Sequence, residues 1–345
     1  MSLLEIKGLE TEFQTEQGVV KALRGINYTV DRGEVLGIVG ESGSGKSVGM
    51  LSLMGLLAPN GTVTAGEMIF DGEDISPIKY KTKKEKKEYE KKMNQIRGND
   101  ISMIFQDPMS YLNPIVTIEK QMTEGIRFHT KCSKKEAVQR AVELMKMVGI
   151  PAPESRLKQY PFEFSGGMRQ RIIIAIALAC NPKLIVADEP TTALDVTVQA
   201  QILDLLKDIT RESNAGVIII THDLGVVASL CDRISIMYGG NIMEEGTTDE
   251  IFYDPKHPYT KGLLNSIANS NIDHREPLKP IPGTPPDLLK LGNQCPFASR
   301  CSEAMEICTK ASPLVTEFGE KHKCKCWLHC KDRWHEVWKG EDAYE

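Results

Sequence analysis

Apolar and polar positions alternate near the start of the chain and then give way to a continuous apolar run. Leu4-Glu5-Ile6 alternates, which predicts a strand with one covered face, whereas the run Val35-Leu36-Gly37-Ile38-Val39 is typical of a strand covered on both faces. Asp31-Arg32-Gly33-Glu34, just before that run, predicts a hairpin turn. A glycine-rich loop and a helix predicted from about Lys46 to Leu57 come next. This order of strand, loop and helix predicts the opening of an α/β unit.

The alternation of strands and helices continues through the middle of the chain. Strands are predicted at 100–106, Leu184 to Ala187 and Gly216 to Thr221, and helices over 134–149, Gly167 to about Cys180 and about Val196 to Ser213. Apolar strands separated by helices indicate a mostly parallel sheet. Beyond about residue 260 the sequence becomes rich in proline and then in cysteine, which predicts a small, loop-rich extension.

The composition is that of a folded globular chain. Of 345 residues, 41% are hydrophobic and 26% are charged, which excludes collagen-like, wholly disordered and coiled-coil proteins. The longest apolar run, Ile172 to Cys180, is far shorter than the roughly 20 residues that a membrane-spanning helix needs. The first residues lack the basic and apolar segments of a signal peptide. We therefore expect a cytoplasmic protein with two domains, or one large domain with an appendage.

Positive charge is concentrated in one segment of an otherwise acidic chain. The formal net charge is −5, yet residues 79–92 hold eight lysines and three glutamates. A lysine run can contact phosphate or lipid headgroups, and it can equally be a solvated surface helix or loop. The overall acidity argues against a nucleic-acid-binding protein, whose surface usually carries a basic footprint.

A phosphate-binding loop is predicted between the apolar strand and the helix that follows it. The pattern G-x-x-x-x-G-K-[ST] is matched at every specified position by Gly40, Glu41, Ser42, Gly43, Ser44, Gly45, Lys46 and Ser47. Glycines let the backbone N–H groups wrap around phosphate oxygens, and the helix adds its positive end. Lys46 is expected to reach the β- and γ-phosphates and the Ser47 hydroxyl to bind Mg²⁺, which predicts ATP and Mg²⁺ as ligands.

Two carboxylates follow the predicted strand at 184–187. Acidic side chains are costly to bury without partners, so Asp188 and Glu189 should face a cation or water. Beside a phosphate loop, Asp188 fits the surroundings of Mg²⁺, and Glu189 fits the group that orients or deprotonates the attacking water. Because the chain turns where the strand ends, both side chains can reach the same site.

A second anion site is predicted at a helix start, where Ser165, Gly166 and Gly167 precede Met168. A hydroxyl, free N–H groups and a helix dipole end meet there. With this motif placed upstream of the acidic strand, the chain resembles the ATP-binding subunits of ABC transporters over residues 1 to about 330. In this family's Ser-Gly-Gly motif, glutamine is commoner at the position that Met168 occupies here.

The resemblance assigns further residues by their positions in the family's motifs. It implies that Gln106 touches Mg²⁺ and faces the transmembrane subunits, that Ala193-Leu194-Asp195 is the D-loop, and that His222 contacts the γ-phosphate. Glu189, His222 and Gln106 thus form the expected catalytic set. Phe13 is either the aromatic residue that stacks on adenine or a core or hairpin phenylalanine.

The resemblance also implies a fold, that of a P-loop NTPase of the ABC ATPase type. This fold has a mostly parallel sheet, an antiparallel β subdomain and a helical subdomain, expected here over about 107–180. The ATP-binding domain is expected over 1–260 and a cysteine-rich C-terminal extension over 261–345. Two such subunits pair head to tail, so that each ATP lies between the phosphate loop of one chain and the Ser-Gly-Gly motif of the other. Closure on ATP and opening after hydrolysis would then move membrane subunits.

Six of the nine cysteines fall between Cys295 and Cys330, and such a cluster indicates metal or redox chemistry in a reducing compartment. The stretch from Cys295 to Cys301, followed by Cys308, closely resembles the C-terminal region of the oligopeptide/dipeptide importer subfamily, which implies a [4Fe–4S] cluster. Cys326 is the favoured fourth ligand, and Cys324 and Cys330 are the alternatives. Zn²⁺ and a set of reduced buried thiols also remain open, although gaps longer than Cys-x-x-Cys favour iron–sulfur over zinc.

These motifs predict a peripheral ATPase subunit, on the cytoplasmic face of the cell membrane, that powers the import of di- or oligopeptides. The expected partners are two transmembrane permease subunits, a second, non-identical ABC ATPase subunit and an extracytoplasmic peptide-binding protein, and no nucleic acid is expected. One alternative is an ABC-type ATPase that imports nickel or another small solute. Another is a soluble ABC ATPase that acts on nucleic acid or ribosomes, for which the lysine run is the only support.

Overall fold

A computed structural model describes residues 2–105, 111–191, 196–266 and 280–337. The strands are β1 (Leu4–Thr15), β2 (Gly18–Val30), β3 (Val35–Val39), β4 (Gly61–Phe70), β5 (Glu73–Asp74), β6 (Ile101–Ile104), β7 (Leu184–Asp188), β8 (Gly216–Thr221), β9 (Arg233–Tyr238), β10 (Asn241–Thr247), β11 (Val315–Glu317) and β12 (Lys323–Lys325). The α-helices are α1 (Lys46–Met54), α2 (Lys83–Ile96), α3 (Ile118–Thr130), α4 (Lys134–Met147), α5 (Pro153–Arg156), α6 (Gly166–Ala177), α7 (Val196–Ser213), α8 (Leu224–Leu230), α9 (Thr248–Tyr253), α10 (Pro258–Asn265) and α11 (Glu306–Lys310). Short 3₁₀ segments lie at Pro77–Lys79, Pro161–Glu163, Ala298–Arg300, Trp327–His329 and Lys331–Glu336.

The predicted order of strands and helices is confirmed, and most differences lie at the ends of elements. β3, β8 and α7 have the predicted bounds. α1 ends at Met54 rather than near Leu57, because Gly55 adopts a left-handed conformation and its N–H caps the carbonyls of Leu51 and Ser52. The predicted hairpin turn at 31–34 is wrong, because β2 and β3 on either side of it belong to different sheets.

The chain divides into two compact units. The first comprises residues 1–4, 29–36 and 70–221, and the second comprises residues 5–28, 37–69 and 222–345. The extension predicted over 261–345 therefore belongs to the same unit as the phosphate loop. The domain boundary placed after residue 260 stays a prediction.

Parallel strands form the sheet of the first unit. Ile101 of β6 lies opposite Leu184 of β7, which lies opposite Gly216 of β8. Every residue of β7 and β8 is buried, as continuous apolar runs predict for strands covered on both faces. Asp188, the last residue of β7, thus lies at the carboxyl edge of the sheet, which is where open α/β sheets bind their ligands.

A helical layer in the first unit falls within the predicted helical subdomain. α3, α4 and α6 pack against one another. α3 and α4 are amphipathic and bury only the apolar side of each helix. Ser133 and Glu136 form a capping box that fixes where α4 begins. This packing supports α6, whose first turn carries the Ser-Gly-Gly motif.

Antiparallel strands dominate the second unit. β9 and β10 form a hairpin in which Tyr238 pairs with Asn241 across Gly239 and Gly240, both in the left-handed region. β12 pairs with β10, and β11 pairs with β12. β3 extends this sheet beside β9, while β1 lies between β2 and β4 in a separate sheet. The loop that leaves β3 therefore starts next to the end of β9.

The lysine-rich segment is a surface helix, as one of the two interpretations predicts. Tyr89, Met93 and Ile96 are the buried residues of α2, and most of its lysines are exposed. Thr82 and Glu85 form a capping box at its start. Within the described ranges, no helix combines the length and the apolar character that crossing a membrane requires.

Candidate functional site

The phosphate loop leaves β3 at Gly40 and enters α1 at Lys46. A Cβ at Gly40 would lie 2.1 Å from the carbonyl oxygen of Met237, so the loop backbone approaches β9 too closely for any side chain. At Gly45, φ is 104° and a Cβ would lie 2.8 Å from the carbonyl oxygen of Ala22. In the middle of the loop, by contrast, no atom lies within 4 Å of a Cβ at Gly43. The loop is thus held tightly at both ends and is open at its centre.

Lys46 is folded back into this loop. Its side chain is buried, with the residue 7% exposed. The ammonium nitrogen Nζ donates to the carbonyl oxygens of Gly40 and Glu41 at 2.7 and 2.9 Å and to the Ser44 hydroxyl at 3.4 Å. A cation held inside a glycine-lined loop at a helix start fits a polyphosphate. Ser47 is half-buried in the first turn of α1, at the position predicted to bind Mg²⁺.

Two residues that the sequence motif does not include hold the loop from the C-terminal part of the chain. The backbone N–H of Glu41 donates to the hydroxyl of Tyr259 at 3.0 Å, and the carboxylate of Glu41 pairs with Arg300 at 2.6 Å. The sequence did carry a signal for both. Tyr259 belongs to the stretch His257-Pro-Tyr-Thr and Arg300 to the Cys295–Cys301 stretch, which share the resemblance to peptide importers.

The acidic pair sits where β7 ends in the first unit. Asp188 is 7% exposed and closes the strand. Glu189 is half-buried, its N–H donates to the carbonyl of Ile220 at 2.8 Å, and its φ is 47°. A non-glycine residue in this left-handed region costs about 1–3 kcal/mol, and such strain clusters at functional sites. The turn predicted at the strand end is therefore present as a left-handed residue directly after Asp188.

Ser165 caps α6 in the first unit. Its hydroxyl accepts a hydrogen bond from the N–H of Met168 at 3.4 Å. Ser165 and Gly166 are exposed, and no atom lies within 4 Å of a Cβ at Gly166. A Cβ at Gly167 would lie 3.1 Å from Val198 of α7. This helix start therefore offers an open surface to an anion supplied from outside the unit.

The other predicted nucleotide-site residues lie at the end of β8, in β1 and outside the described residues. His222 is exposed directly after β8, and Asp223 caps α8 by accepting from the N–H of Gly225 at 2.8 Å. Phe13 of β1 is half-buried with its ring packed over Gly61, so adenine stacking stays a prediction. Gln106 and Ala193-Leu194-Asp195 lie outside the described residues.

The four cysteines predicted as metal ligands lie near one another. Electrostatic interactions link every pair of thiols among Cys295, Cys301, Cys308 and Cys326. The backbone supports this neighbourhood, since the N–H of Cys295 donates to the carbonyl of Cys308 at 2.9 Å. The strongest electrostatic partners of Cys324 are instead Glu244, Cys326 and Cys330. This pattern favours Cys326 over Cys324 as the fourth member of the group.

The pKa values of these thiols follow from their burial and their hydrogen bonds. Burial raises the pKa of the Cys295 thiol to about 12 and also raises the pKa of Cys301 and Cys308. A hydrogen bond from Cys324 lowers the pKa of Cys326. Among the residues that the structure describes, no three His, Cys, Asp or Glu side chains are placed to hold a metal ion. The structure thus groups the four predicted ligands without arranging them as a metal site, and the iron–sulfur or zinc centre stays a prediction.

Family models match two successive parts of the chain. Residues 23–192 match the ABC transporter model, and residues 243–308 match the model of the oligopeptide/dipeptide transporter C-terminal region. The first match contains the phosphate loop, the Ser-Gly-Gly motif and the acidic pair. The second contains three of the four grouped cysteines together with Tyr259 and Arg300.

Curated relatives resemble the chain over most of its length. The oligopeptide transport ATP-binding protein OppD of Bacillus subtilis is 52% identical over 327 residues, which is 94% of this chain and 88% of that protein. The dipeptide transport ATP-binding protein DppD of Bacillus subtilis is 48% identical over 98% of each chain. OppD of Salmonella typhimurium is 50% identical over 90% of each chain.

Solved structures share the fold of somewhat more than two thirds of this chain. A dimer of the ATP-binding cassette MJ0796 in a post-hydrolysis state, bound to ADP and Pi, has a TM-score of 0.61 and 29% identity, covering 71% of this chain and 98% of that one. CbiO1 of Clostridium perfringens, part of an ABC transporter complex, has a TM-score of 0.60 and 28% identity, covering 73% and 91%. The predicted ABC ATPase fold is thereby confirmed. The chain belongs to the ATP-binding proteins of ABC transporters, in the branch that carries the oligopeptide/dipeptide transporter C-terminal region.

Proposed function

We propose that this chain is the ATP-hydrolysing subunit that energises an ABC importer of di- or oligopeptides. The reaction is ATP + H₂O → ADP + phosphate, coupled to movement in membrane subunits. The observation that carries the proposal is the glycine-lined loop with Lys46 buried inside it, in a chain about half identical to OppD and DppD proteins.

The residues present suit ATP and Mg²⁺. The close contacts at Gly40 and Gly45 shape a backbone cradle, and Lys46 supplies a cation for the β- and γ-phosphates. Ser47, Asp188 and Gln106 are the oxygen donors that would hold Mg²⁺, which would neutralise charge on the phosphates when bound.

Hydrolysis needs a group that positions and deprotonates water, and Glu189 takes this role. Its left-handed backbone at the strand end turns the chain directly after Asp188, which lets two successive residues serve one site. His222, exposed after β8, would contact the γ-phosphate and report its presence to the rest of the chain. These roles give a catalytic reason for the Glu189 carboxylate and the His222 imidazole, neither of which contributes to packing an apolar core.

The exposed Ser-Gly-Gly helix start needs a nucleotide from another chain. Ser165 and Gly166 present open N–H groups and a hydroxyl at the first turn of α6. A head-to-tail pair would bring this surface onto the ATP of a second ABC ATPase subunit, which we propose is not identical to this chain. The MJ0796 cassette is itself a dimer with ADP and Pi bound.

The membrane partners would dock on a groove of the first unit. This cavity of about 460 Å³ lies beside the segment that leads to Gln106, and Phe105, Tyr111, Leu112 and Ile173 are among its lining residues. The rings of Phe105 and Tyr111 stack with centroids 3.9 Å apart. Ile115, three residues after Leu112, is 82% exposed. An apolar, part-exposed groove of this kind fits one helix of a permease subunit. The second permease subunit would dock in the same way on the second ATPase subunit, and these contacts would hold the chain at the cytoplasmic face of the membrane.

We also propose a [4Fe–4S] cluster on Cys295, Cys301, Cys308 and Cys326, with Zn²⁺ as the alternative. Their grouping supports this, because four thiols from separate segments interact with one another pairwise. Four thiolates suit iron–sulfur ligation, and metal binding would drive off their protons. Bound there, a cluster would cross-link the segments that carry the four cysteines.

Transport by a reconstituted complex tests the proposed function. The chain is co-purified with its permease subunits and second ATPase, placed in liposomes with the peptide-binding protein, and supplied with labelled di- and oligopeptides or with Ni²⁺. We expect peptide uptake that requires ATP and disappears in the Glu189→Gln complex, which still binds nucleotide. Uptake of Ni²⁺ alone, or ATP hydrolysis without any peptide uptake, would overturn the assignment.

A further inference from the structure

Glu41 places a carboxylate within the loop that has to bind a polyanion. The side chain of Glu41 follows Gly40 directly, five residues before Lys46. A fixed negative charge at this position repels phosphate groups, and the repulsion is strong wherever the loop is shielded from water. The phosphate-loop pattern does not specify this residue, so the motif alone gives no account of how the charge is tolerated.

Arg300 neutralises this carboxylate from the cysteine-rich extension. Its guanidinium nitrogen Nη1 donates to Glu41 Oε2 at 2.6 Å and to the Tyr238 hydroxyl at 3.0 Å. The side chain of Arg300 is 5% exposed and that of Glu41 is 25% exposed. Charge-assisted hydrogen bonds of this length are among the stronger ones in proteins.

The guanidinium is fixed on its other side as well. Nε donates to the carbonyl of Pro282 at 2.8 Å and Nη2 to the carbonyl of Ile281 at 3.2 Å. These contacts use the rigid fork of arginine, which lysine cannot reproduce. Because its guanidinium is fixed by backbone carbonyls, Arg300 holds the Glu41 carboxylate in one position.

An aromatic cluster supports the same arrangement. Tyr238 and Tyr259 lie with ring centroids 4.6 Å apart, and Phe297 packs on both at 5.3 and 5.2 Å. Tyr259 accepts from the N–H of Glu41, and the Glu41 carbonyl accepts from Lys46. All three polar groups of Glu41 are thus engaged, two of them by the C-terminal part of the chain.

We propose that Arg300 is a positioning residue for nucleotide binding: it neutralises Glu41 and holds this carboxylate away from the phosphates, so that the extension sets the affinity of the loop for ATP. The inference rests on the proposed ATP-binding role of the loop. It gives the Cys295–Cys301 stretch a function in the ATPase whether or not a metal is bound, because Arg300 lies inside that stretch.

A charge-removal cycle tests the proposal in the full-length chain. Equilibrium binding of a non-hydrolysable ATP analogue and of ADP is measured for the unmodified chain, Arg300→Gln, Glu41→Gln and the double variant. We expect Arg300→Gln to weaken binding of the ATP analogue about tenfold, as the loss of one charge-assisted hydrogen bond would. ADP should lose less than the ATP analogue, because it carries less negative charge.

The double variant separates charge from shape. Removing the carboxylate as well should restore the affinity of Arg300→Gln to within about threefold of the unmodified chain, since no uncompensated charge remains. Arg333→Gln is the matched control, because Arg333 pairs with Glu336 at the exposed end of the extension, and it should bind normally. A double variant no better than folded Arg300→Gln, or normal binding by Arg300→Gln, would overturn the proposal.

Arg300→Lys covers the case in which Arg300→Gln does not fold. Lysine keeps the positive charge beside Glu41 but lacks the fork that fixes the guanidinium, so we expect the affinity to fall by about threefold, less than in Arg300→Gln. A loss of tenfold or more in folded Arg300→Lys would contradict the electrostatic account. Failure of the unmodified chain to bind any nucleotide would instead contradict the proposed function, so the two outcomes are distinguishable.

Discussion

The phosphate loop and the cysteine-rich extension lie in one unit of the molecule but are built in opposite ways. The cation of the loop is held locally, since Lys46 donates to atoms of Gly40, Glu41 and Ser44 within one eight-residue motif. The four grouped cysteines are spread from Cys295 to Cys326 and meet only through contacts between separate segments.

The difference between the loop and the cysteine group shows which kind of site the chain can form before its ligand binds. Close backbone contacts at its glycines give the loop its form before ATP arrives. Three of the four thiols are buried and Cys301 is half-buried, and the pKa of Cys295, Cys301 and Cys308 is raised. A metal would therefore have to displace protons and draw the segments together. Substitutions in the loop should therefore alter nucleotide chemistry directly, whereas substitutions of the cysteines should first alter metal content.

The largest expected effect is on turnover, through Glu189→Gln. A positioned general base contributes roughly 10²–10⁴-fold to rate, so we expect a loss of that size in steady-state ATP hydrolysis with nucleotide binding retained. Glu306→Gln, which removes an exposed carboxylate of the extension paired with Lys310, is the matched control and should hydrolyse ATP normally. Near-normal hydrolysis by Glu189→Gln would remove Glu189 from the catalytic role.

Removing the loop cation should have the next largest effect. Lys46→Ala loses charge-assisted contacts to the phosphates, and we expect ATP binding to weaken about 10- to 100-fold, measured by titration with a fluorescent nucleotide. Lys323→Ala removes a half-buried lysine of β12 that pairs with Glu317, and this variant should bind ATP as the original chain does. Equal affinities for the two variants would count against the loop as the nucleotide site.

The extension is tested by metal content rather than by nucleotide binding. Protein purified without oxygen should be brown and contain about four irons per chain, as one four-iron cluster requires. Cys301→Ser should lose most of this iron, whereas Cys132→Ser, which changes a cysteine of the first unit, should keep it. A colourless protein with stoichiometric zinc would replace the iron–sulfur proposal, and a metal-free protein would leave only reduced thiols.

The same contrast explains how much could be predicted from the sequence. The loop, β3, β8 and α7 were predicted with close to their observed bounds, because the glycine pattern, the continuous apolar runs and the helical periodicity mark them in the sequence. The turn at 31–34 was misjudged, because the pairing of β2 and β3 depends on which sheet each joins and not on the turn residues. Capping residues such as Gly55 fix where a helix ends, whereas hydrophobic periodicity predicts the end of a helix only approximately.

The contacts of Glu41 could not be predicted from the sequence. Tyr259 and Arg300 lie 218 and 259 residues away along the chain, and nothing in the spacing of the motifs specifies that they meet the loop. The resemblance marked both stretches as typical of peptide importers without giving a reason. The structure supplies one, because it places both side chains on a single residue of the phosphate loop.

The smallest expected effect concerns His257, which caps α10 two residues before Tyr259. Its ring nitrogen Nδ1 accepts from the N–H of Tyr259 at 3.0 Å. Burial, with the positive charges of His329 and Lys261, lowers the pKa of His257 to about 3. The unfolded chain takes up a proton here near pH 6.5 while the folded chain does not. This residue therefore destabilises the fold as the pH falls from about 6.5 towards 3.

Unfolding in urea at pH 7 and pH 5 measures this contribution. In the original chain His257 should account for about 2 kcal/mol of the fall in unfolding free energy between these pH values, by the linkage of proton binding to folding. His257→Asn keeps a capping oxygen for the N–H of Tyr259 and should reduce the fall by that amount, whereas the exposed His335→Asn should leave it unchanged. An identical fall in the original chain and in His257→Asn would contradict this account. It would show that the pH dependence of the unfolding free energy does not come from a neutral imidazole at His257.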